Sequence, residues 1–496
     1  LSTLKKFAGQ TALYGLSTIA SRTLNFFLTP IYTKVYAPAV YGIFTTLYAW
    51  ASILNAIMAF GMETTYFRYL NKENADKKKV YNSTFFVVAS LAFLFLFTTL
   101  IFINPIAAWM QEGALSSLAD YKTYIQLFAF ILFFDALCVI PFAKIRAEGR
   151  PGRYSLIKLL NILSFIGLNL FFLFVIPFII KNDYLFADFF ASWYREEWVG
   201  YVFISNLIST VFTFLLLLPE IIQLRFKIDK LLLKTMFGYS FPILIANLSF
   251  IINENSDKIF LDHLLPAGVS EYQVGIYGAC CKIAIFMSLF NQAFRIGAEP
   301  FFFNYSKEKD AKNVYATIMN YFVIALAFIF VGLVANIEIL KYFIDDSYWS
   351  GLNVVPILLF GYMSLGIYMN LSIWYKLSDQ TKYGLYISGI GAILTIVLNV
   401  IFIPIWGYLA SAWISLIAYT SMMVLSYLWG KKHYPVPYQI KRNLCYVITS
   451  VILVLLSFVL FERNLIIGNI LFILFGILIL YLEKDNLKNL LQKNEN

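Results

Sequence analysis

The chain has 496 residues, 60% of them hydrophobic and only 13% charged, with 49 Phe and a mean hydropathy of +0.73. Soluble globular chains carry roughly 25% charged residues, so an array of soluble domains is excluded. The net charge of +10, from 38 basic and 28 acidic residues, fits basic loops beside membrane spans better than a nucleic-acid partner.

Apolar runs of roughly 20 residues, the length that crosses a bilayer, predict fourteen spans. They fall at about 9–33, 40–62, 80–103, 121–141, 155–179 and 198–219, then at about 236–262, 272–297, 314–335, 351–372, 383–404 and 407–429. A further pair lies at about 443–461 and 465–482. The first and seventh are rich in polar residues, and only Ile405-Trp406-Gly407 separates the eleventh from the twelfth. The first apolar run continues past Thr29 without a small-residue cleavage site, so no cleavable leader is expected.

Loop charge tests this count independently. Basic residues occupy alternate connections: Arg68, Lys72 and Lys77 to Lys79; Lys144, Arg146, Arg150, Arg153 and Lys158; Arg225, Lys227, Lys230 and Lys234. The pattern continues with Lys307, Lys309 and Lys312; Lys376 and Lys382; Lys431, Lys432, Lys441 and Arg442. The intervening loops are bare or acidic, as at Asp183, Asp188, Glu196 and Glu197. The positive-inside rule then puts both termini in the cytoplasm, which requires an even number of spans. The longest connection, around 180–197, is too short for a catalytic domain, so function is expected within the membrane. Cys138, Cys280, Cys281 and Cys445 all sit in apolar stretches and suit core positions rather than disulfides or a metal site. With only His263 and His433, histidine-based metal or triad chemistry has little to work with. No cofactor is expected.

Two halves of the chain repeat. Tyr41-Gly42-Ile43-Phe44 matches Val274-Gly275-Ile276-Tyr277, and Gly61-Met62-Glu63 matches Gly297-Ala298-Glu299. Leu168-Asn169 echoes Leu398-Asn399. The offset of about 230 residues equals six spans, so both copies share one orientation, a parallel repeat of the kind common in secondary transporters. The expected organisation is an all-α polytopic membrane protein: residues 1–228 and 229–432 as six-helix bundles, and 433–496 as an extra helix pair with a cytoplasmic tail. The expected substrate route is a cleft between the bundles, reached alternately from each side.

Charges inside spans are costly and face a cavity or a partner. Arg22 lies on a polar stripe with Gln10, Tyr14, Thr18, Asn25 and Thr29, at helical steps of three and four. The seventh span carries Asn247, Glu254, Lys258 and Asp262 after Pro242, where a bend is expected. The eighth adds Lys282, Ser288, Gln292, Arg295 and Glu299, and the fourth adds Asp135. Each has a structural alternative. Glu63 and Glu299 could pair with Arg68 or Arg295 to hold a bundle end, and Lys258 could neutralise Glu254 or Asp257. The Arg146, Arg150, Arg153 cluster could be an ordinary basic loop or a contact for anionic headgroups. As substrate-binding residues we take Arg22, Asn25, Lys258, Lys282, Gln292 and Arg295. As ion-coupling or gating residues we take Glu63, Asp135, Glu254 and Glu299. A guanidinium in a low-dielectric pocket suits a diphosphate, and the polar stripes suit sugar hydroxyls.

The six-plus-six-plus-two arrangement resembles the Wzx-like polysaccharide flippases of the multidrug/oligosaccharidyl-lipid/polysaccharide (MOP) superfamily. Ser21-Arg22-Thr23, Tyr41-Gly42, Ala147-Glu148-Gly149-Arg150 and Asp257-Lys258-Ile259-Phe260 carry the likeness, which covers nearly the whole chain. The resemblance implies a flippase moving undecaprenyl-diphosphate-linked oligosaccharide from the inner to the outer leaflet of a bacterial cytoplasmic membrane, for surface polysaccharide biosynthesis. It also implies alternating access, ion or potential coupling, and other polysaccharide assembly proteins as partners besides membrane lipids. Two other readings compete: an ion-coupled multidrug exporter of the same superfamily, and a membrane-embedded glycan polymerase or ligase. The latter usually carries a large Arg- and His-bearing periplasmic loop, which this sequence lacks.

Overall fold

The computed structural model describes residues 24, 26–72, 76–111, 116–224, 229–266 and 268–493. They are mostly helical, with no strand among them. Among the described residues, twelve helices are long and apolar enough to cross a membrane, and a further apolar helix, Gly200–Leu216, is shorter. Most of the expected first span lies outside the described residues. Fourteen spans is thus consistent with the helices seen.

The principal helices are α1 (Pro38–Ala59), α2 (Met62–Leu70), α3 (Lys77–Ile101), α4 (Leu118–Ala147), α5 (Pro151–Leu170), α6 (Gly200–Leu216) and α7 (Lys230–Leu264). They continue with α8 (Ser270–Tyr305), α9 (Ala311–Ala335), α10 (Val354–Leu371), α11 (Lys382–Trp406), α12 (Tyr408–His433), α13 (Ile440–Leu455) and α14 (Leu465–Lys493). The chain forms two compact units, Leu1–Gly278 and Ala279–Asn496, divided within α8.

In the first unit, α4 is the most enclosed span, packing against α1, α3 and α6. The α1–α2 break is local: Phe60 (φ 48°) and Gly61 (φ 65°) both adopt the left-handed conformation. A side chain on Gly61 would also press on Ser240 and Ile243 of α7. Its repeat counterpart Gly297 has open space around it and sits inside continuous α8. α7 runs on through Pro242 for 35 residues and packs against α1, which is why it belongs to the first unit although the sequence repeat starts again at its beginning. After α5, a π-helical turn (Phe171–Val175) leads into Ile176–Lys181.

In the second unit, α10 packs on α12, where a Cβ on Gly361 would stand 3.5 Å from the Leu416 backbone. Gly407 (φ 56°) makes the one-residue turn between α11 and α12, a conformation that L side chains rarely adopt. The α13–α14 pair docks on α9. Phe472 fills the space at Gly332, and Asn336 and Asn469 exchange side-chain amide bonds at 3.2 and 3.1 Å. Ile466, Ile470, Ile473 and Ile477 on α14 are exposed apolar residues, the lipid-facing surface of a span.

The repeat is visible in side-chain chemistry too. Asn169 and Asn399 are both buried, and each donates its amide at 2.7 Å to the carbonyl four residues back, Phe165 and Thr395 respectively. The Tyr32 hydroxyl donates to Asn169 at 2.9 Å and the Ser411 hydroxyl to Asn399 at 3.5 Å. This bonding answers the cost of placing an amide in an apolar interior.

Candidate functional site

Arg22 and Asn25 lie outside the described residues. The other sequence-derived candidates divide between the two units.

In the first unit, Lys258 is engaged locally. Its ammonium donates to Asp257 Oδ1 at 2.8 Å and to the Glu254 carbonyl at 2.9 Å, and it stands 5.5 Å from the Tyr277 ring centre. Asp257 is buried and also accepts from the Tyr277 hydroxyl at 2.6 Å. Of the two carboxylates expected to compensate Lys258, the side-chain pair is with Asp257. The Glu254 side chain is exposed. Asp135, partly buried on α4, accepts a hydrogen bond from Thr210, and Lys158 of α5 is the nearby opposite charge. Beside it, Asn206 donates to the Tyr48 hydroxyl at 2.8 Å. Glu63 pairs with Arg146 in the last turn of α4 instead of Arg68, whose guanidinium sits 4.0 Å above the Tyr239 ring.

The basic α4–α5 connection is built on a residue that sequence reasoning did not single out. Glu220 is buried, and its two oxygens accept from Arg150 Nη2 at 3.0 Å and Arg153 Nη2 at 2.9 Å. This part of the Arg cluster is therefore an internal clamp. At another end of the same unit, Arg195 forks onto Asp120 at 2.6 and 3.1 Å, and Trp198 Nε1 donates to the same carboxylate at 3.0 Å. The hydrogen bond to Asp120 holds the Arg195 guanidinium above its ordinary pKa.

In the second unit, Lys282 is partly buried on α8, and Gln292 donates to Ser288 Oγ at 3.5 Å. Arg295 and Glu299 line a pocket bounded by α8, α9, α10 and the short helix Ile373–Leu377. Asn291, Arg295, Glu299 and Phe302 recur at steps of three and four, so α8 turns one face toward it. Glu299 Oε1 accepts from Lys376 Nζ at 2.6 Å, which replaces the expected Arg295 partner. Among the described residues, no carboxylate forms an ion pair with Arg295, whose side chain is exposed. Arg295 and Lys376 against Glu299 leave the pocket one positive charge in excess. Its wall is apolar, with Phe294 stacked on Phe322 at 3.9 Å. Asn291, Asn370 and Lys376 complete it. None stood out in the sequence, because Asn370 interrupts an otherwise apolar run and Lys376 reads as one more basic loop residue.

Among the described residues, no group of three or more His, Cys, Asp or Glu side chains could hold a metal ion. The membrane-length helices define a multi-pass membrane protein, and comparison with known proteins gives its family. The model of the family described as polysaccharide biosynthesis protein matches residues 8–294, more than half of the chain, and the MatE family model matches residues 242–401. The chain belongs to the polysaccharide biosynthesis protein family. No curated protein sequence matches it.

Among solved structures, the fold is similar to lipid II flippase MurJ in its inward closed conformation, with TM-score 0.72 and 14% identity over 96% of this chain and 100% of that one. It is also similar to an inward-facing multidrug resistance MATE family transporter of the MOP superfamily, with TM-score 0.58, 15% identity and coverages of 85% and 94%. A MATE transporter of Vibrio cholerae matches with TM-score 0.52, 12% identity and coverages of 87% and 97%. The chain thus shares its fold with solved flippase and multidrug transporter structures.

Proposed function

We propose that the protein flips undecaprenyl-diphosphate-linked oligosaccharide from the inner to the outer leaflet of a bacterial cytoplasmic membrane, for surface polysaccharide biosynthesis. The observation that carries this reading is Arg295, a guanidinium with no ion-pair carboxylate among the described residues, on a membrane-spanning helix and lining a pocket of net positive charge. A charge in that position calls for an anionic partner, and the forked guanidinium suits phosphate or carboxylate oxygens. Membership of a polysaccharide biosynthesis family supports a glycan as the cargo.

On this reading both termini are cytoplasmic, as the alternating loop charge requires. The repeats 1–228 and 229–432 are the moving bodies of an alternating-access cycle, and 433–496 is an accessory pair. Arg22, Asn25, Lys282 and Gln292 join Arg295 in drawing in the substrate. Lys258 has a structural task besides, through Asp257. Ion coupling is assigned first to Asp135, the partly buried carboxylate beside Lys158, and then to Glu254. Glu63 and Glu299, each in an ion pair near a helix end, serve as gating contacts.

The test is the leaflet distribution of lipid-linked oligosaccharide in cells depleted of the protein. The expected result is accumulation on the cytoplasmic face with loss of surface polysaccharide. The MatE match over residues 242–401 favours a second reading, an ion-coupled multidrug exporter. Unchanged lipid intermediates with heightened sensitivity to cationic dyes would establish that one instead.

A further inference from the structure

The connection between α5 and α6 folds back along the span it leaves. α5 and its continuation run apolar to Lys181, but α6 begins at the level of Phe172, whose ring stacks on Tyr201 at 5.2 Å. Lys181 lies nine residues beyond Phe172, about 14 Å of helix. Residues 182–199 descend that step along the side of α5. Tyr184 packs on Phe178 with ring centres 5.6 Å apart, and Phe190 reaches Phe171 at 6.3 Å. Phe171, Phe174 and Phe178 are themselves exposed on a span of bilayer length, so the lipid-facing surface of that span continues into the connection.

The connection has a fixed backbone. Besides the Arg195 fork onto Asp120, the Arg195 backbone N–H donates to the Tyr201 hydroxyl at 2.7 Å, and Tyr194 stacks on Tyr201 at 5.1 Å. A short helix, Ala187–Ala191, starts from Phe186, which holds the left-handed conformation (φ 72°) that bulky side chains rarely adopt. What this backbone presents is apolar: Leu185 is 81% exposed, Phe186 65% and Phe189 61%, with Tyr184 and Trp193 exposed beside them. A cluster of that kind marks an interaction surface, and Trp and Tyr gather where hydrocarbon meets headgroups.

We infer that residues 184–193 form an interfacial foot: they lie in the headgroup–hydrocarbon boundary of the leaflet opposite the basic α4–α5 connection, and their partner is lipid. The contacts to Phe171 and Phe178 set the depth, since both rings belong to the span. Continuity with the lipid-facing side of α5 favours lipid over a protein partner. Asp183, Asp188, Glu196 and Glu197 make the connection acidic, which suits a zwitterionic surface better than an anionic one.

The full chain is tested in phosphatidylcholine nanodiscs, with Cys445→Ser removing the exposed thiol; the other three cysteines are buried. A nitroxide is attached at Leu185→Cys or at Phe189→Cys, both exposed positions whose replacement leaves the packing intact. Its collisions with oxygen, which concentrates in hydrocarbon, are compared with those of a water-soluble nickel chelate. Leu163→Cys on the exposed side of α5 and Lys309→Cys in the exposed α8–α9 connection set the lipid and water ends of the scale. The oxygen-to-nickel ratio at both foot positions is expected to shift past the midpoint toward the Leu163 value. A ratio on the Lys309 side at either position would overturn the inference and leave the foot in water. Poor access for both reagents would overturn it too, giving the surface to a protein contact such as a second copy of this chain.

Discussion

Gly42 and Gly275 meet where α1 crosses the start of α8, and each keeps a side chain out of the other's helix. A Cβ on Gly275 would stand 3.1 Å from the Gly42 nitrogen and overlap the Pro38 carbonyl, while a Cβ on Gly42 would overlap the Glu271 carbonyl. The offset of 233 residues that relates Gly42 to Gly275 also relates Pro38 to Glu271. Thr45 lies against Gly278, its own counterpart at that offset. Residue i touching the partner of j, and j touching the partner of i, is the signature of a two-fold contact. The sequence repeat is therefore realised as a reciprocal helix crossing.

Gly42→Val and Gly275→Val should each destabilise the protein by about 1–3 kcal/mol or more through overpacking of this crossing. The double variant should cost less than the sum, because both substitutions force apart the same pair of helices. Thermal unfolding of purified protein in detergent checks this, with Gly167→Ala as the control. Gly167 has open space around it inside α5 and should tolerate or slightly gain from alanine.

The Glu220 clamp gives a second expectation. Glu220→Ala leaves Arg150 with Glu148 and Arg153 with the Leu216 carbonyl, and removal of one partner from a buried ion pair costs about 3–5 kcal/mol. Since both guanidinia are about one-third exposed, water recovers part of this, and the lower end of the range is expected. Glu220→Gln should fall between. A double-mutant cycle of Glu220→Ala with Arg153→Ala, followed by thermal unfolding, reads the coupling directly; additivity would show that the clamp contributes nothing.

The all-helical, membrane-spanning character of the fold was legible because apolar runs of bilayer length mark the spans. Asn169 and Asn399, picked out as a faint echo, do occupy equivalent buried roles. The local Lys258–Asp257 pair was legible, but partner choice between helices was not. Glu63 reaches Arg146 and Glu299 reaches Lys376, residues 83 and 77 positions away, instead of the nearby arginines suggested by sequence distance. Helix spacing predicts which side chains share a face of one helix; which face meets another helix depends on packing that no single-sequence pattern encodes. Glu220 and Asn370 were missed for the same reason, since their importance comes only from what surrounds them.

Asp120 and Arg195 form a bidentate pair that ties the loop after α5 back to the start of α4. Asp120→Asn should loosen residues 193–198 without unfolding the unit, since Arg195 is largely exposed and can return to water. Hydrogen exchange over this segment should quicken about tenfold or more, while protection in the middle of α4 stays unchanged. Exchange quickening throughout α4 would mean that the pair supports the whole helix.

Arg295 and Lys258 separate binding from structure. Arg295 forms no ion pair among the described residues, so Arg295→Ala should leave thermal stability within about 0.5 kcal/mol while translocation falls about tenfold or more. Lys258→Ala removes the cation from buried Asp257, which keeps only the Tyr277 hydroxyl and backbone contact. That change should cost about 3–5 kcal/mol, with lowered transport reflecting lost folded protein. Lys258→Ala combined with Asp257→Asn should recover much of the stability, because the uncompensated charge is gone. Thermal unfolding and flipping measured on the same preparations decide between the two roles. If the double variant is stable yet inactive, Lys258 acts on the substrate as well as on Asp257; if it is stable and active, the ion pair is scaffolding and the cationic function rests with Arg295.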